Sequence, residues 1–182
     1  MDAARVQALV DRQDIHDCIV RLARGMDRHD ADLMASAYHP DAYEDHGSFR
    51  GPAPEFITHV NGTGGIGGSH AERFSAHHHL LLNHLADIDG DEAHAETYFL
   101  FVAEPRESPV VKFTGGRYVD RLVRHEAGWA ILARRVVMEW ATEVEATGTT
   151  RSSLIHLFTA GAWDRSDVSY ERPLTVRQPG DD

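Results

Sequence analysis

Apolar positions in the first third of the chain recur at helical steps, whereas later ones fall in long extended runs. Between Asp11 and Met26, the residues Ile15, Cys18, Ile19, Leu22, Ala23 and Met26 stand three or four apart, the stripe of one helix face. Val6, Leu9 and Val10 predict a separate short helix before it. Asp30 suits the N-cap of a second short helix over Ala31 to Ala37. The segment YHPDAYEDHG turns at His39-Pro40 and then runs extended from Ala42 to His46. GPAPEFITHV reads as a helix with prolines near its start, and the glycine-rich NGTGGIGGSH as a loop suited to a lid.

From Phe74 onward the pattern is that of strands. FSAHHHLLLNHLADIDGD and EAHAETYFLFVAE form a hairpin about an Asp-Gly turn. PRESP turns the chain into VVKFTGGRYVDRLVRHEAG, whose glycines predict a bend or bulge, and WAILARRVVMEWATEV is the last strand, with Trp140 expected to be buried. Helices first and a four-strand meander afterwards define an α+β class with an antiparallel sheet. The domain is expected over residues 1–146. A C-terminal extension, 147–182, carries Leu154, Ile155, Leu157, Phe158 and Trp163, too many apolar groups for a free tail, so it packs on the domain or on a neighbouring subunit. The final RQPGDD reads as frayed.

A formal net charge of -11 argues against nucleic acid or an anionic membrane as partner. No apolar run spans a bilayer, and the acidic N-terminal segment is no signal peptide, so a cytoplasmic location is expected. Cys18, the single cysteine, lies on the apolar helix face and reads as inert core. Thirteen histidines raise the question of metal. Neither HHH nor His94–Glu96 has a metal-ligand spacing, because successive strand side chains point to opposite faces. The glycine-rich stretch lacks the Lys-Ser/Thr of a phosphate loop. No metal or cofactor is therefore expected.

The segments GMDRHD, YHPDAYEDHG, HHHLLLNHLADIDGD, GGRYVDRL and GWAILARRVVMEW resemble the SnoaL-like branch of the nuclear-transport-factor-2-like superfamily, over roughly Val6 to Val144. Its relatives include scytalone dehydratase, a bile-acid dehydratase, hexachlorocyclohexane dehydrochlorinase, ketosteroid isomerase and polyketide cyclases. The resemblance implies a cone-shaped α+β barrel, with N-terminal helices packed on a strongly bent sheet around a pocket. It implies a catalytic Asp27 at the end of the long helix and a catalytic His79, four residues before Asn83. It also implies Arg134, five residues after Trp129. His77 and His78 compete with His79, and Arg135 with Arg134, because a one-residue slip exchanges faces. Where relatives carry a Lys or Tyr before the Asp, this chain has Leu22, so Tyr43 or Tyr98 is expected to supply the missing contact. Tyr43, Tyr98, Asn83 and Leu22 are the expected substrate-binding residues. A homo-oligomer is implied, a trimer favoured and a dimer the alternative, with the outer sheet face between subunits.

These residues suit a cofactor-independent dehydratase. His79 would take a proton, Asp27 would orient its ring, and Arg134 would steady developing negative charge. The expected substrate is a hydroxylated alicyclic, steroid-like or polycyclic small molecule. The alternatives are an isomerase or cyclase using the same base, and a non-catalytic binding module. Asp45 and His46 form a second candidate polar pair near the pocket mouth.

Overall fold

The computed structural model describes residues 2–62, 70–126, 128–146 and 158–176. Leu154, Ile155, Leu157, most of the glycine-rich segment and the last six residues lie outside them. Helix α1 (Ala3–Arg28) is one continuous helix, not a short helix followed by a long one. Nothing between Val10 and Asp11 interrupts it, and Asp2 caps its start by accepting from the Ala4 N–H. Its far end is stopped by His29, which takes a left-handed conformation at φ 51° and bonds back to the Gly25 and Met26 carbonyls. The chain then enters α2 (Ala31–Ala35), where Asp30 caps Leu33. Gly25 allows this close turn, since a Cβ there would stand 2.6 Å from Met34 Cγ.

Strands β1 (Tyr38–His46) and β2 (Phe49–Pro52) form a hairpin, followed by α3 (Ala53–Asn61) and the single turn α4 (His70–Arg73). Four long strands come next: β3 (Phe74–Asp89), β4 (Glu92–Pro105), β5 (Val110–His125) and β6 (Gly128–Glu145). The meander is antiparallel, but β1 joins β6 in parallel, so the sheet is mixed, in the order β2-β1-β6-β5-β4-β3. It curves strongly and stays open at β2 and β3. Register shifts supply the bending, including one at Gly115/Gly116 as the glycine pattern predicts. Trp140 lies directly over Gly115 and is half exposed, which corrects its expected burial. No helix of the described residues is long and apolar enough to cross a membrane.

The core lies between α1 and the concave face. Ile15, Cys18, Ile19, Leu22 and Met26 from α1 meet Leu122, Trp129, Ile131, Ala93 and Ala95 from the sheet, with Phe56 and Val60 of α3 closing one side. At roughly 1.5–3 kcal/mol for each large side chain fully buried, this stripe anchors α1 on the sheet from Ile15 to Met26. That anchoring fixes where its last turn, and hence Asp27, must fall.

The described part of the C-terminal segment packs on the same end of α1. The Tyr170 hydroxyl donates to Asp30, Arg24 donates to Ser169, and Arg28 pairs with Asp167 at 3.5 Å. Trp163 stacks on His29, with ring centroids 4.8 Å apart.

Candidate active site

Asp27 leaves the last turn of α1 and meets the start of β3. Its carboxylate accepts the His79 backbone N–H at 3.1 Å on both oxygens, and His79 Nδ1 stands 2.6 Å from Oδ1. A carboxylate can only accept, so Nδ1 carries the shared proton and Nε2 is left bare. Both side chains are mostly enclosed, 15% exposed for Asp27 and 5% for His79. Burial works to raise the Asp27 pKa, but the hydrogen bonds from the His79 ring and backbone N–H outweigh it and hold it below the ordinary value.

Strand alternation separates the three consecutive histidines. His77 and His79 point inward and His78 points out. His77 lies deeper, with Nε2 3.3 Å from the Met26 carbonyl and 4.0 Å from Asp27 Oδ1. Because a carbonyl only accepts, His77 Nε2 is the protonated nitrogen; its buried Nδ1 has no hydrogen-bond partner. Burial, then the neighbouring His79, pushes the His77 pKa down to about 4. Burial, then His77 and His79, pushes that of His70 down to about 2. Both are neutral imidazoles near pH 7.

His79 separates two hollows. On one side is a groove of about 340 Å³, lined by Val20, Ala23, Arg24, Asp27, Arg28 and Leu81. On the other is an aromatic cavity of about 190 Å³ in the bend of the sheet, with Phe99, Phe101, Tyr118 and Met138 in its walls, joined by His46 and His70. Tyr118 stacks on Phe99 at 4.4 Å, giving that cavity a rigid aromatic wall.

The other expected site residues are placed elsewhere. Between Arg134 and Arg135, the strand turns Arg134 inward and leaves Arg135 exposed. Arg134 nevertheless lies behind Tyr118, 4.1 Å from its ring, and gives both hydrogen bonds to Asp120 at 2.7 and 2.8 Å. Burial alone would lower the Arg134 pKa, but the Asp120 charge reverses this and raises it. Arg134 does not line the cavity, which corrects its expected role as a free charge stabiliser.

Leu22 is fully buried in the core. Tyr43 is half exposed, because β1 turns Ala42, Glu44 and His46 inward and the odd positions out. Tyr98 lies on the outer face of β4 beneath Arg117. Asn83 is exposed because a register shift between Leu81 and His84 reverses the alternation, so that His84 turns inward to bond Thr97. None of these four lines the aromatic cavity. In YEDHG, Asp45 pairs outward with Arg50, while His46 pairs with Glu44 instead. Sequence reading missed Glu44, His70, Phe99, Phe101 and Tyr118. Period-two alternation could have found Phe99 and Phe101, which share a parity with Ala93 and Ala95. Among the described residues, no group of three or more His, Cys, Asp or Glu side chains is arranged to hold a metal ion.

A SnoaL-like domain model matches residues 7–135. The chain belongs to the SnoaL-like family. Several solved structures share its fold. A candidate scytalone dehydratase from Novosphingobium aromaticivorans DSM 12444 superposes with a TM-score of 0.64 at 14% identity, covering 76% of this chain and 90% of that one. A hexachlorocyclohexane dehydrochlorinase, LinA-type3, from Novosphingobium barchaimii LL02 gives 0.62 at 17% identity, covering 81% and 96%. A nuclear transport factor 2-like protein from Salmonella enterica serovar Typhimurium LT2 gives 0.63 at 20%, covering 73% and 94%. Among curated proteins, none matches the chain. At these identities the likeness is one of fold, and the SnoaL-like chain's chemistry must be argued from its own side chains.

Proposed function

We propose that this SnoaL-like protein is a cofactor-independent lyase that catalyses β-elimination on a hydroxylated cyclic small molecule. The observation that carries the reading is the 2.6 Å Asp27–His79 pair, with His79 in the wall of a half-open aromatic cavity. His79 Nε2 is the base, and Asp27 holds the ring in the tautomer that leaves this nitrogen free. A positioned base of this kind contributes about 10²–10⁴-fold. The dehydrochlorinase and dehydratase names among the structural neighbours support an elimination. The cavity of about 190 Å³ is below the ~300–1,000 Å³ usual for drug-sized ligands. It favours a hydroxylated alicyclic or small fused-ring compound over a steroid.

The test is a panel of hydroxylated cyclic ketones followed by mass spectrometry. Loss of one water is expected with wild type, and none with His79→Ala of unchanged circular dichroism. A fully active His79→Ala ends the proposal. An isomerase or cyclase would use the same proton abstraction, and product of unchanged mass would identify it.

A further inference from the structure

We propose that Glu44 and His46 form a second carboxylate–imidazole pair of this site, with His46 the general acid that protonates the departing hydroxyl. The inference rests on the elimination reading and supplies the half of the reaction that His79 cannot perform. β1 and β3 stand far apart in the sheet order, yet its curvature brings His46 and His79 to one cavity.

Glu44 is completely buried. Its Oε2 accepts from the Tyr38 hydroxyl at 3.0 Å, and Oε1 stands 3.2 Å from His46 Nδ1. A buried carboxylate must be hydrogen-bonded, and while ionised it is stabilised by a nearby positive charge. Arg134 is near enough to interact with Glu44, but both of its hydrogen bonds go to Asp120. Arg134 and Asp120 pair with each other, so the side chains that reach the Glu44 carboxylate by hydrogen bond are Tyr38 and His46. As the general acid His46 would carry a proton on each ring nitrogen, and the Glu44 carboxylate, 3.2 Å from Nδ1, is placed to stabilise that form. With Nδ1 on Glu44, the proton free to be given away is the one on Nε2. Phe56, stacked on His46 at 4.9 Å, holds the plane of the ring. The side chain is one-third exposed, so it can recover a proton from solvent. His70, the remaining histidine of the cavity, is a neutral imidazole with a partnerless Nδ1, so it cannot serve as this acid.

The proton and electron balance closes without another reactant. His79 Nε2 takes a proton from the carbon beside a carbonyl. The C–H electron pair becomes the new C=C bond, and the C–O bond breaks with its electrons on oxygen. His46 Nε2–H protonates that oxygen and water leaves. His79 ends with one proton more and His46 with one fewer, and exchange with solvent restores both. His46 is the catalytic residue here and Glu44 a positioning residue.

Two probes of the full-length protein separate the roles. The ring opening of 5-nitrobenzisoxazole needs a base but no acid, because its phenoxide product is stable. Dehydration of 3-hydroxycyclohexanone to cyclohexenone needs both. His46→Gln is expected to slow dehydration by about 100-fold or more relative to ring opening. Glu44→Gln should show the same split, which a merely structural role would not produce. His46→Asn, whose amide can still reach Glu44, covers the case in which His46→Gln does not fold. His79→Gln should slow both probes. Equal slowing of both by the His46 variants, or undiminished dehydration, overturns the second pair and leaves the base reading standing. Undiminished turnover of both probes by His79→Gln, or wild-type inertness to both, removes the elimination reading and the second pair with it.

Discussion

Mild acid should destabilise this protein before its carboxylates protonate. In the folded chain His77 and His70 resist protonation, with pKa values pushed down to about 4 and about 2, chiefly by burial. In the unfolded chain each returns to about 6.5. The unfolded state therefore binds protons that the folded state refuses, so stability rises with pH across this window and is complete only above about 6.5. It declines as pH falls toward the folded values. At pH 5 the unfolded histidines are almost fully charged and the folded pair almost fully neutral. Each contributes about 1.5 pH units at 1.36 kcal/mol per unit, or about 2 kcal/mol, and the two together about 4 kcal/mol. His29 and His84, also lowered mainly by burial, act in the same direction. Asp27, Asp11 and Asp167 are depressed instead, and their contribution is lost only below about pH 4. The interval from pH 7 to 5 thus isolates the histidines. Against a typical total of about 5–15 kcal/mol the loss is large. Urea unfolding followed by tryptophan fluorescence at the two pH values measures it. His70→Gln should flatten the slope by about 1.4 kcal/mol per pH unit. A stability unchanged within about 1 kcal/mol between pH 7 and 5 refutes the reasoning.

Three further outcomes are expected. Asp120→Ala strands the Arg134 guanidinium, whose side chain is 1% exposed, and should cost about 3–5 kcal/mol in urea unfolding. The Asp120→Leu/Arg134→Met double variant should recover most of that loss, and failure to do so would mean that the pair does more than neutralise itself. Asp27→Asn should reduce turnover by about 10²-fold or more with little change in circular dichroism, because the His79 tautomer is no longer enforced; kcat on an active panel compound measures it. Leu80, Leu82 and Leu85 are exposed together on the outer face of β3, so sedimentation should find an oligomer, a trimer favoured, that Leu82→Glu/Leu85→Glu converts to smaller species.

The fold was largely legible because its long elements have clean periods. The α1 stripe, the Asp30 cap, the Asp-Gly hairpin and the glycine bend all have local physical causes. The Asp27–His79 pairing was legible through family resemblance, and alternation then distinguished His79 from His78. What misled were parity and pairing. One extra residue near Asn83 inverted the outward and inward assignment of everything beyond it, and no local signal marks that shift. Arg134 was correctly turned inward, but its capture by Asp120 depends on a neighbouring strand that one-strand reasoning does not see. Tyr43 and His46 differ in parity along β1, and that alone decides which reaches the cavity. The parallel seat of β1 beside β6 is a long-range choice that hydrophobic pattern does not encode.

The grip of Tyr170, Ser169 and Trp163 on the last turn of α1 joins segments about 140 positions apart along the chain. During synthesis the helix bearing Asp27 is made before all six strands, and the residues that roof its end after them. The surroundings of the acid–base pair are thus completed only after β6 has been made. A chain cut after Ala146 would keep every strand of the sheet and leave this flank bare.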